Sequence, residues 1–593
     1  MKSYSELEKI SRKSDMTGLP VVRLSVLGDC ATQHLGRAIR GAGCVEGLAV
    51  EIWEADYNQI ELQLVDGESP LYESRPDIVL LMLCHQKLYE SFCETPEAER
   101  PQFAVQMLKR LTGYWELISS HCEARILQSN FMLVDDAVFG NYANKTAYSY
   151  VYQVRKLNVL LMQAAEESTV GKRVSVVDMD LIQQRYGAEA VQDERTYFVG
   201  KLPVAVKYLP AIAEQVIHII KALRGSVKKC VITDLDNTLW GGVIGDDGIE
   251  KIQIGELGQG QAFSALQTWL KELKIRGILL AVCSKNEEEA AKLPFEKHPE
   301  MVLRLEDFAM FVANWEDKAG NIRMIQQTLN IGMDSMVFLD DNPFERELVR
   351  SLIPEICVPE LPEDKSAYLP YLRQCGLFET ASFSEEDSRR TGQYREEALR
   401  ATEQRRFDNY GEYLQSLHME AYVSPFDAFH TPRIAQLSQR SNQFNLRTIR
   451  YTEADVERLS KDERYETLFF CLKDAFGDYG LISAAVLEKQ PEGVLFIEEW
   501  FMSCRVLKRG MEELIADTIV GKARELGCTR VVGEYLPTPK NRMVEHLYER
   551  LGFTPLGEGR YQAEVTGYRM HETFIEEKKY EQGRNFGTGE QSI

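Results

Sequence analysis

Residues 228–240 read KKCVITDLDNTLW, and this stretch decides the fold of the central part of the chain. The run from Lys229 to Thr233 is typical of a buried strand, and two carboxylates, Asp234 and Asp236, come directly after it. Residues i and i+2 of an extended backbone point the same way, so both carboxylates are expected at one site on the carboxyl edge of a sheet. Such a pair suits phosphoryl transfer, in which Asp234 attacks phosphorus while Asp236 protonates the leaving oxygen and then activates water.

Further polar side chains stand where later strands end. Ser284 ends the apolar strand GILLAVCS, and Lys318 opens a predicted helix. Asp340 and Asp341 end the strand SMVFLDD. Together with Thr238, which is expected to fix the geometry by hydrogen bonding, Ser284 and Lys318 are assigned to the phosphate site. Carboxylates around a phosphate repel one another unless a hard cation intervenes, so the sequence predicts Mg²⁺.

Four stretches carry a resemblance to a known family: DLDNTLWGGVIGDDG, LLAVCSKN, NWEDKAGNI and VFLDDNPFERELVR. They resemble the haloacid dehalogenase superfamily, specifically the subfamily IIIC phosphatase-like domain of FkbH-like proteins, over residues 228–362. The resemblance implies that Asp234 is the nucleophile, that Asp236 is the acid/base and binds metal through its carbonyl, and that Ser284 and Lys318 contact phosphate. It implies a metal site formed by Asp234, Asp236, Asp340 and Asp341. The intervals between the motifs are too short for a sizeable cap domain, so the site is expected to be open or closed by a neighbouring domain.

The region before residue 223 alternates short apolar strands with helical stretches, which indicates a parallel sheet covered on both faces. Its first strand, VVRLSVL, ends at Gly28-Asp29-Cys30, where the SGNH-type hydrolases that this region resembles carry Gly-Asp-Ser. Cysteine replaces the serine, and Asp193-Glu-Arg-Thr stands where those hydrolases have Asp-x-x-His. Asp29 and Cys30 are therefore expected to be the remnant of a hydrolase site in a binding or docking module.

The region from about His418 to Tyr568 resembles the GNAT acyltransferase fold in the segments RVLKRG, residues 505–510, and NRMVEHLYERLGF, residues 541–553. A helix N-terminus exposes N–H groups that hold a pyrophosphate or a phosphopantetheine arm, although Lys508 replaces the first glycine of the usual loop. The resemblance implies a site for phosphopantetheine, bound to a carrier protein or to CoA; a degenerate domain retained for packing is the alternative. The residues assigned to this site are Arg505, Lys508, Arg509, Gly510, Asn541 and Tyr548.

The predicted fold class is α/β, in a chain of three domains. Residues 1–222 are predicted to form an SGNH- or flavodoxin-like parallel sheet, residues 223–375 a capless haloacid-dehalogenase-type (Rossmann-like) domain, and residues 417–575 a GNAT-like mixed α+β domain. A charged helical connector is predicted over residues 376–416, and a polar tail over residues 576–593.

This combination is similar to the FkbH-like proteins of polyketide and related pathways. The resemblance implies an enzyme that takes a glyceryl group from 1,3-bisphosphoglycerate, removes its phosphate and loads the three-carbon acyl unit onto the phosphopantetheine thiol of an acyl carrier protein. A cysteine thiolate can accept an acyl group from an acyl phosphate. Cys283 is the first candidate and Cys504 the second, with the alternative that Cys283 faces away from Ser284 and belongs to the core.

Charge and composition exclude other classes of function. The chain has 593 residues with 69 basic and 91 acidic side chains, and its net charge of −22 argues against nonspecific binding of nucleic acid or anionic membranes. Its start has charges where a signal peptide needs apolar residues, so a cytoplasmic location is expected. Because carrier proteins are usually acidic as well, docking requires a local basic patch. The residues predicted for that patch are Arg505, Lys508, Arg509, Lys540 and Arg542.

Two alternative functions stay open at this point. The chain is compatible with a plain Mg²⁺-dependent phosphatase for a sugar or lipid-linked phosphate. It is also compatible with an N-acyltransferase of sugar biosynthesis whose central domain is regulatory.

Overall fold

The structure is a computed structural model that describes residues 2–14, 16–168, 170–383, 407 and 409–579. The chain divides into two compact units, Met1–Lys221 and Ala222–Ile593. The helical connector predicted over residues 376–416 falls largely on residues 384–406, which lie outside the described residues. Within the described ranges, no helix combines the length and the apolar character needed to cross a lipid bilayer.

The first unit contains a five-stranded sheet in which every pairing is parallel. Its strand order, β2-β1-β3-β4-β5, is that of flavodoxin-like folds and confirms the predicted class. The central strand β3 is buried at every residue, as expected for a parallel sheet covered by helices on both faces. The strands are β1 (Val21–Gly28), β2 (Ala49–Glu54), β3 (Ile78–Met82), β4 (Arg125–Ser129) and β5 (Val174–Val177). The helices are α1 (Tyr4–Lys13), α2 (Gln33–Val45), α3 (Ile60–Val65), α4 (Pro70–Glu73), α5 (His85–Glu94), α6 (Phe103–His121), α7 (Tyr150–Glu167), α8 (Met179–Tyr186), α9 (Ala188–Val191), α10 (Glu194–Gly200) and α11 (Leu209–Leu223).

The second unit begins with a four-stranded parallel sheet of order β8-β7-β6-β9, which confirms the predicted Rossmann-like core. Apolar side chains from both faces of this sheet are buried under the flanking helices. The strands are β6 (Cys230–Thr233), β7 (Leu279–Ser284), β8 (Phe308–Ala313) and β9 (Met336–Leu339). The helices are α12 (Ile244–Asp247), α13 (Gln259–Ile275), α14 (Glu288–Lys297), α15 (Lys318–Leu329), α16 (Pro343–Leu352) and α17 (Tyr368–Gln374). Across the fully described range 230–339, the strands are joined by these helices and loops, and no additional domain is inserted.

The second unit continues with an eight-stranded mixed sheet of order β15-β16-β14-β13-β12-β11-β10-β17, as predicted for the α+β part. Most of its pairings are antiparallel, and β13 pairs with β14 in parallel. The predicted tail starts too early, because residues 576–579 belong to β17, which pairs in parallel with β10. The strands are β10 (Met419–Ser424), β11 (Tyr465–Asp474), β12 (Gly477–Gln490), β13 (Val494–Met502), β14 (Arg530–Glu534), β15 (Thr554–Gly557), β16 (Arg560–Glu564) and β17 (Ile575–Lys579). The helices are α18 (Tyr410–Ser416), α19 (Thr431–Arg440), α20 (Glu453–Lys461), α21 (Met511–Glu525) and α22 (Leu547–Arg550).

Candidate active site

The predicted phosphoryl-transfer residues lie at one edge of the four-stranded sheet. β6 pairs in parallel with β7 on one side and with β9 on the other, so Asp234, Ser284 and Asp340 reach the same carboxyl edge. Lys318 is the first residue of α15, and the side chain of the N-cap residue Asp317 accepts a hydrogen bond from a backbone N–H in the first turn. This cap fixes where the helix starts and thereby where Lys318 enters the site.

Three carboxylates form a cluster that fits a divalent cation. Asp234, Asp340 and Asp341 each offer an oxygen, and these oxygens lie within 4.8 Å of one another. Asp340 is fully buried, and burial together with the charge of Asp234 raises its pKa to about 6. Hard carboxylate oxygens at this spacing are the ligands that Mg²⁺ prefers, so these three residues would hold the metal. The ligation predicted for the Asp236 carbonyl stays a prediction.

Lys318 is the cation that the structure places among these carboxylates. Its Nζ lies 3.0 Å from Asp234 Oδ1 and 2.5 Å from Asp340 Oδ2. Burial alone would lower the pKa of Lys318, but the charges of Asp234 and Asp340 outweigh burial and raise it. Lys318 is therefore held as an ammonium group at the point where a phosphoryl group would approach Asp234.

Three donors orient the carboxylate of Asp236. Its Oδ1 accepts hydrogen bonds from Trp240 Nε1 and from the backbone N–H of Ile244, both at 3.0 Å, and its Oδ2 accepts one from Asn286 Nδ2 at 2.9 Å. Asn286 Nδ2 also donates to Ser284 Oγ at 3.1 Å, so the Ser284 hydroxyl proton is available for a phosphoryl oxygen. Sequence reasoning missed Asn286. It lies two residues after Ser284, which is the spacing that relates Asp236 to Asp234.

The loops that carry the carboxylates are tied to one another. Thr238 is fully buried, and its Oγ1 accepts a hydrogen bond from the backbone N–H of Asp341 at 3.1 Å, which is the positioning role predicted for it. Arg346 Nη1 donates to the carbonyls of Asp340 and Asp341, each at 2.8 Å. Lys365 Nζ lies 3.3 Å from Asp341 Oδ2. Sequence reasoning also missed Lys365, because it approaches the site from outside the strand-end pattern.

The two candidate cysteines do not join the carboxylates. Cys283 is fully buried in the core, its Sγ lies 3.7 Å from the carbonyl of Lys318, and burial raises the pKa of its thiol to about 12. Its side chain therefore packs inside while the neighbouring Ser284 faces the site. Cys504 is partly exposed, and its carbonyl accepts a hydrogen bond from Asn330 Nδ2 at 2.7 Å. Asn330 caps the C-terminal end of α15, about 18 Å along the helix from Lys318.

Two arginines of the predicted basic patch are buried, so their assignment to a docking surface is wrong. Arg505 is buried, and its Nε donates to Ser503 Oγ at 3.2 Å. Arg509 is also buried, where it donates to the hydroxyl of Tyr479 and lies 3.5 Å from the carboxylate of Asp474. Guanidinium groups held inside the domain cannot present charge to a partner protein, and the spacing of the sequence did not show which side of the loop they face.

In the predicted pantetheine loop, a backbone N–H group already donates a hydrogen bond to a side chain of the protein. Lys508 has a positive φ of 64°, and its N–H donates to Glu512 Oε1 at 3.1 Å. Glu512 belongs to the first turn of α21, whose N-cap is Gly510. Its carboxylate thus takes a position that a phosphate would need at this helix N-terminus. Lys540, another member of the predicted patch, is paired with Asp334 at 2.6 Å, and Arg542 is exposed.

Asn541 and Tyr548 have internal roles in the structure. Asn541 is fully buried, and its Nδ2 donates to the carbonyls of Asn445 and Leu536 at 3.0 and 2.9 Å. Tyr548 is 1% exposed and stacks on Tyr561, with ring centroids 5.3 Å apart. Both side chains therefore pack the domain rather than line an open ligand site, which corrects their assignment to a pantetheine site.

Asp29 and Cys30, the predicted remnant of a hydrolase site, directly follow β1 in the first unit. Asp29 Oδ1 accepts a hydrogen bond from the N–H of Cys84 at 2.8 Å, and burial raises the pKa of Asp29 to about 6. Cys30 is buried, its Sγ lies 3.7 Å from the carbonyl of Met82, and burial raises the pKa of its thiol. A protonated, enclosed thiol is a poor nucleophile. The predicted absence of hydrolase chemistry stays a prediction.

Comparisons with known proteins agree with the geometry of the phosphoryl-transfer site. Residues 23–221 match the family model described as FkbH, N-terminal domain. The crystal structure of the N-terminal part of BF1531 from Bacteroides fragilis, which contains a phosphatase domain complexed with Mg, is 44% identical and covers 65% of this chain and 100% of its own, with a TM-score of 0.62. No curated protein matches the chain.

Two acetyltransferase structures show lower similarity. The ribosomal-protein-S18-alanine N-acetyltransferase from Escherichia coli is 16% identical and covers 24% of this chain and 88% of its own, with a TM-score of 0.18. The spermidine N-acetyltransferase from Vibrio cholerae in complex with CoA and spermine is 15% identical and covers 25% of this chain and 98% of its own, with a TM-score of 0.20.

Proposed function

This chain belongs to the FkbH-like proteins with a haloacid-dehalogenase-type phosphatase domain, and from that membership we propose that it is a Mg²⁺-dependent enzyme that dephosphorylates a phosphorylated three-carbon acyl donor, such as 1,3-bisphosphoglycerate, and loads the acyl group onto an acyl carrier protein thiol. The observation that carries the phosphatase part is the cluster of Asp234, Asp340 and Asp341 around the buried ammonium group of Lys318. The identity of the acyl donor and of the carrier follows from the family resemblance.

The residues at the strand ends account for hydrolysis of a phosphomonoester in two steps. A carboxylate oxygen of Asp234 bonds to phosphorus, and the substrate oxygen leaves with a proton from Asp236. Asp236 then removes a proton from water, whose oxygen bonds to phosphorus and releases phosphate from Asp234. When bound, Mg²⁺ supplies the positive charge that screens the carboxylates from the phosphoryl oxygens.

No inserted cap limits the size of the substrate that reaches Asp234. Over residues 230–339 no domain is inserted that could close over Asp234. Ser284 and Lys318 remain to bind the phosphoryl oxygens, and they recognise phosphate rather than the group that carries it. Such a site supports dephosphorylation of an acyl unit either free or already attached to a carrier.

The acyl-transfer step needs a thiol. A thiolate that attacks the carbonyl of an acyl phosphate forms a thioester and releases phosphate, and the thiol of the carrier then takes the acyl group by thioester exchange. Of the two cysteines considered, Cys504 is the one that is partly exposed. Because Cys504 lies at the far end of α15 from Lys318, acyl transfer on Cys504 and dephosphorylation at Asp234 would be separate binding events.

Intact-protein mass spectrometry after incubation with 1,3-bisphosphoglycerate and Mg²⁺, with and without an acyl carrier protein, tests this proposal. A glyceryl adduct on the chain that is lost in Cys504→Ser, or a glyceryl adduct on the carrier, supports acyl transfer. The Asp234→Asn variant should still form the adduct on the chain. That adduct should keep the phosphomonoester of the donor, because the variant cannot hydrolyse it. Release of phosphate without either adduct, from protein that is active as a phosphatase, rejects the acyl-transfer step.

A plain Mg²⁺-dependent phosphatase for a sugar or lipid-linked phosphate is the second candidate. The enclosed thiol of Cys283 favours it, because no cysteine then stands beside the carboxylates to accept an acyl group. In this case Cys283→Ser and Cys504→Ser release phosphate as the wild type does, and neither protein nor carrier gains mass. The N-acyltransferase alternative has no such support, since Glu512 already occupies the loop amide of Lys508.

A further inference from the structure

A cavity of about 190 Å³ lies at the carboxyl ends of the strands in the first unit. Its lining includes Asp29, which follows β1, and Cys84, which follows β3. Ile60 from beyond β2 and Phe131 from beyond β4 also line it. β2 pairs with one side of β1 and β3 with the other, so the cavity lies where the order of the strands reverses. In open parallel sheets, ligands bind in the crevice at that point.

Asp29 offers free acceptor positions to this cavity. Its Oδ1 accepts a hydrogen bond from the N–H of Cys84 at 2.8 Å, and the only other donor that the described residues bring to it is its own backbone N–H. A carboxylate accepts about four hydrogen bonds, so acceptor positions stay open. Burial raises the pKa of Asp29 to about 6, and the group is therefore mostly ionised at neutral pH. Asp29 thus presents both negative charge and free acceptors to a ligand.

Lys87 provides a positive charge on the same lining. Its Nζ donates to Asn58 Oδ1 at 2.9 Å and lies 4.5 Å from the centre of the Tyr57 ring. An ammonium group has three donors, so two of them stay available. The charge of Lys87 opposes the effect of burial on the pKa of Asp29, but the two side chains form no ion pair with each other in the part of the chain that the structure describes. Each of the two charges is therefore left for a ligand.

The other two charges on the lining neutralise each other. Arg110 Nη2 lies 2.9 Å from Glu61 Oε1, and the hydroxyl of Tyr114 donates to the same oxygen at 2.9 Å. The lining therefore carries two basic and two acidic side chains, which leaves no excess charge for a ligand with several phosphate groups. A ligand with a single negative group for Lys87 and a hydrogen-bond donor for Asp29 matches both groups.

The size of the cavity limits the ligand further. Its volume is below the range of roughly 300–1,000 Å³ that drug-sized ligands occupy, so it suits a small metabolite. Leu88 and Leu111 provide an apolar wall for a short carbon chain. We infer that this cavity binds a small amino acid or hydroxy acid, with its carboxylate beside Lys87 and its ammonium or hydroxyl group against Asp29.

Titration calorimetry of the full chain with L-serine, D-glycerate, ethanolamine and propionate tests the inference. Serine and glycerate carry a carboxylate together with an ammonium or hydroxyl donor, ethanolamine has donors without a carboxylate, and propionate has a carboxylate without a donor. We expect serine or glycerate to bind at least about tenfold more tightly than ethanolamine and propionate, and the better of the two identifies the group that Asp29 accepts. The inference is rejected if neither serine nor glycerate binds at up to about 10 mM, or if ethanolamine or propionate binds equally well.

Variants locate the site. Asp29→Asn and Lys87→Gln should each weaken binding about tenfold, since each removes a charge-assisted hydrogen bond to the ligand. Asp66→Asn and Lys109→Gln are the matched controls, because both residues are exposed in the same unit and do not line the cavity. Asp66 also accepts a hydrogen bond from a backbone N–H, as Asp29 does. Melting temperatures show which variants are folded, and if Asp29→Asn is not, Lys87→Gln decides alone. Wild-type affinity in the folded cavity variants, or an equal loss in the controls, overturns the assignment of the site.

These binding measurements are independent of the proposed phosphatase. They need neither turnover nor Mg²⁺, and Asp234→Asn, which cannot form the phosphoaspartate, should bind the probe with wild-type affinity. Loss of phosphatase activity with intact binding therefore contradicts only the proposed mechanism, and intact activity without binding contradicts only this inference.

Discussion

Lys318 Nζ lies 3.0 Å from Asp234 Oδ1, and both side chains are at least nine-tenths buried. A buried lysine beside the expected nucleophile serves two purposes. It places a positive charge between the carboxylates of Asp234 and Asp340, and it marks the position where the charge of a phosphoryl group is received. The same contact therefore links the stability of the phosphatase domain to its chemistry.

Lys318→Met removes this cation and keeps most of its volume. We expect the metal-free variant to lose about 3 kcal/mol of unfolding free energy, because breaking a buried ion pair leaves uncompensated charge among Asp234 and Asp340. Phosphate release should fall about 100-fold, as for other electrostatic groups at a transition state. Chemical denaturation with and without Mg²⁺, beside a phosphate assay, measures both, and wild-type stability in the variant would mean that the carboxylates do not depend on Lys318.

Asn286→Ala tests a positioning residue that bridges Asp236 and Ser284. Without its amide, the carboxylate of Asp236, the proposed acid/base, and the hydroxyl of Ser284 lose their shared donor, so we expect kcat to fall by about tenfold to 100-fold with a small change in KM. The acidic and basic limbs of the pH profile of kcat should also move. A fall in the melting temperature that fully accounts for the lost activity, with an unchanged pH profile, would show a purely structural role.

Proton and metal should compete for Asp340. Burial and the charge of Asp234 raise its pKa to about 6, above the ordinary value of 3.8. In metal-free protein the folded state therefore binds the proton more tightly than the unfolded state, and stability falls as pH rises through this interval. Mg²⁺ binds the ionised form, so the metal-induced rise in melting temperature should be small near pH 5 and larger near pH 7. Asp340→Asn should reduce that pH dependence, and the remainder belongs to Asp341, whose pKa burial also raises. A metal effect on the wild type that is equal at both pH values would contradict the prediction.

The strand-end residues of the phosphatase site could be predicted because a simple rule governs them. A buried parallel strand directs the residues after it to one edge of the sheet, and Asp234, Ser284 and Asp340 obey that rule. The start of α15 at Lys318 was predictable for a similar reason, since Asp317 precedes it as an N-cap. The parallel sheet of the first unit was likewise predictable from continuous apolar strands separated by helices.

Residues whose role depends on which side of a segment they face could not be predicted. Strand alternation predicted only that Cys283 and Ser284 face opposite sides, with the core position of Cys283 as the alternative, and the packing of β7 shows that the cysteine is the enclosed one. Arg509 follows the exposed Lys508, yet it turns inward to Asp474, a residue on a strand distant in sequence. Lys365 reaches Asp341 from beyond the last strand of its sheet. Such contacts depend on tertiary packing that local sequence spacing does not encode.

The internal pair of Arg509 and Asp474 predicts that Arg509 stabilises the mixed-sheet domain and does not dock a partner protein. Arg509→Met should destabilise the mixed-sheet domain by about 3 kcal/mol, because the buried carboxylate of Asp474 loses the positive charge of Arg509. Lys508→Ala, one residue away and exposed, should change stability by less than about 0.5 kcal/mol. Chemical denaturation of both variants provides the comparison. If Arg509→Met keeps wild-type stability and only weakens binding of a carrier protein, the prediction is wrong and Arg509 belongs to a docking patch.

The packing of Cys283 in the core predicts how this cysteine responds to alkylation and to substitution. Both responses distinguish a core residue from a catalytic one. Its thiol is fully enclosed among apolar side chains and its pKa is raised by burial, so iodoacetamide should leave it unmodified in folded protein and modify it only after unfolding. Cys283→Val replaces the thiol with an apolar group of similar size, and we expect it to keep the wild-type melting temperature and phosphate release. Because a valine cannot form a thioester, an adduct of the three-carbon acyl donor that persists in Cys283→Val excludes this cysteine as the acceptor. An adduct that disappears in this folded, phosphatase-active variant would instead require β7 to open during turnover and expose the thiol beside Ser284.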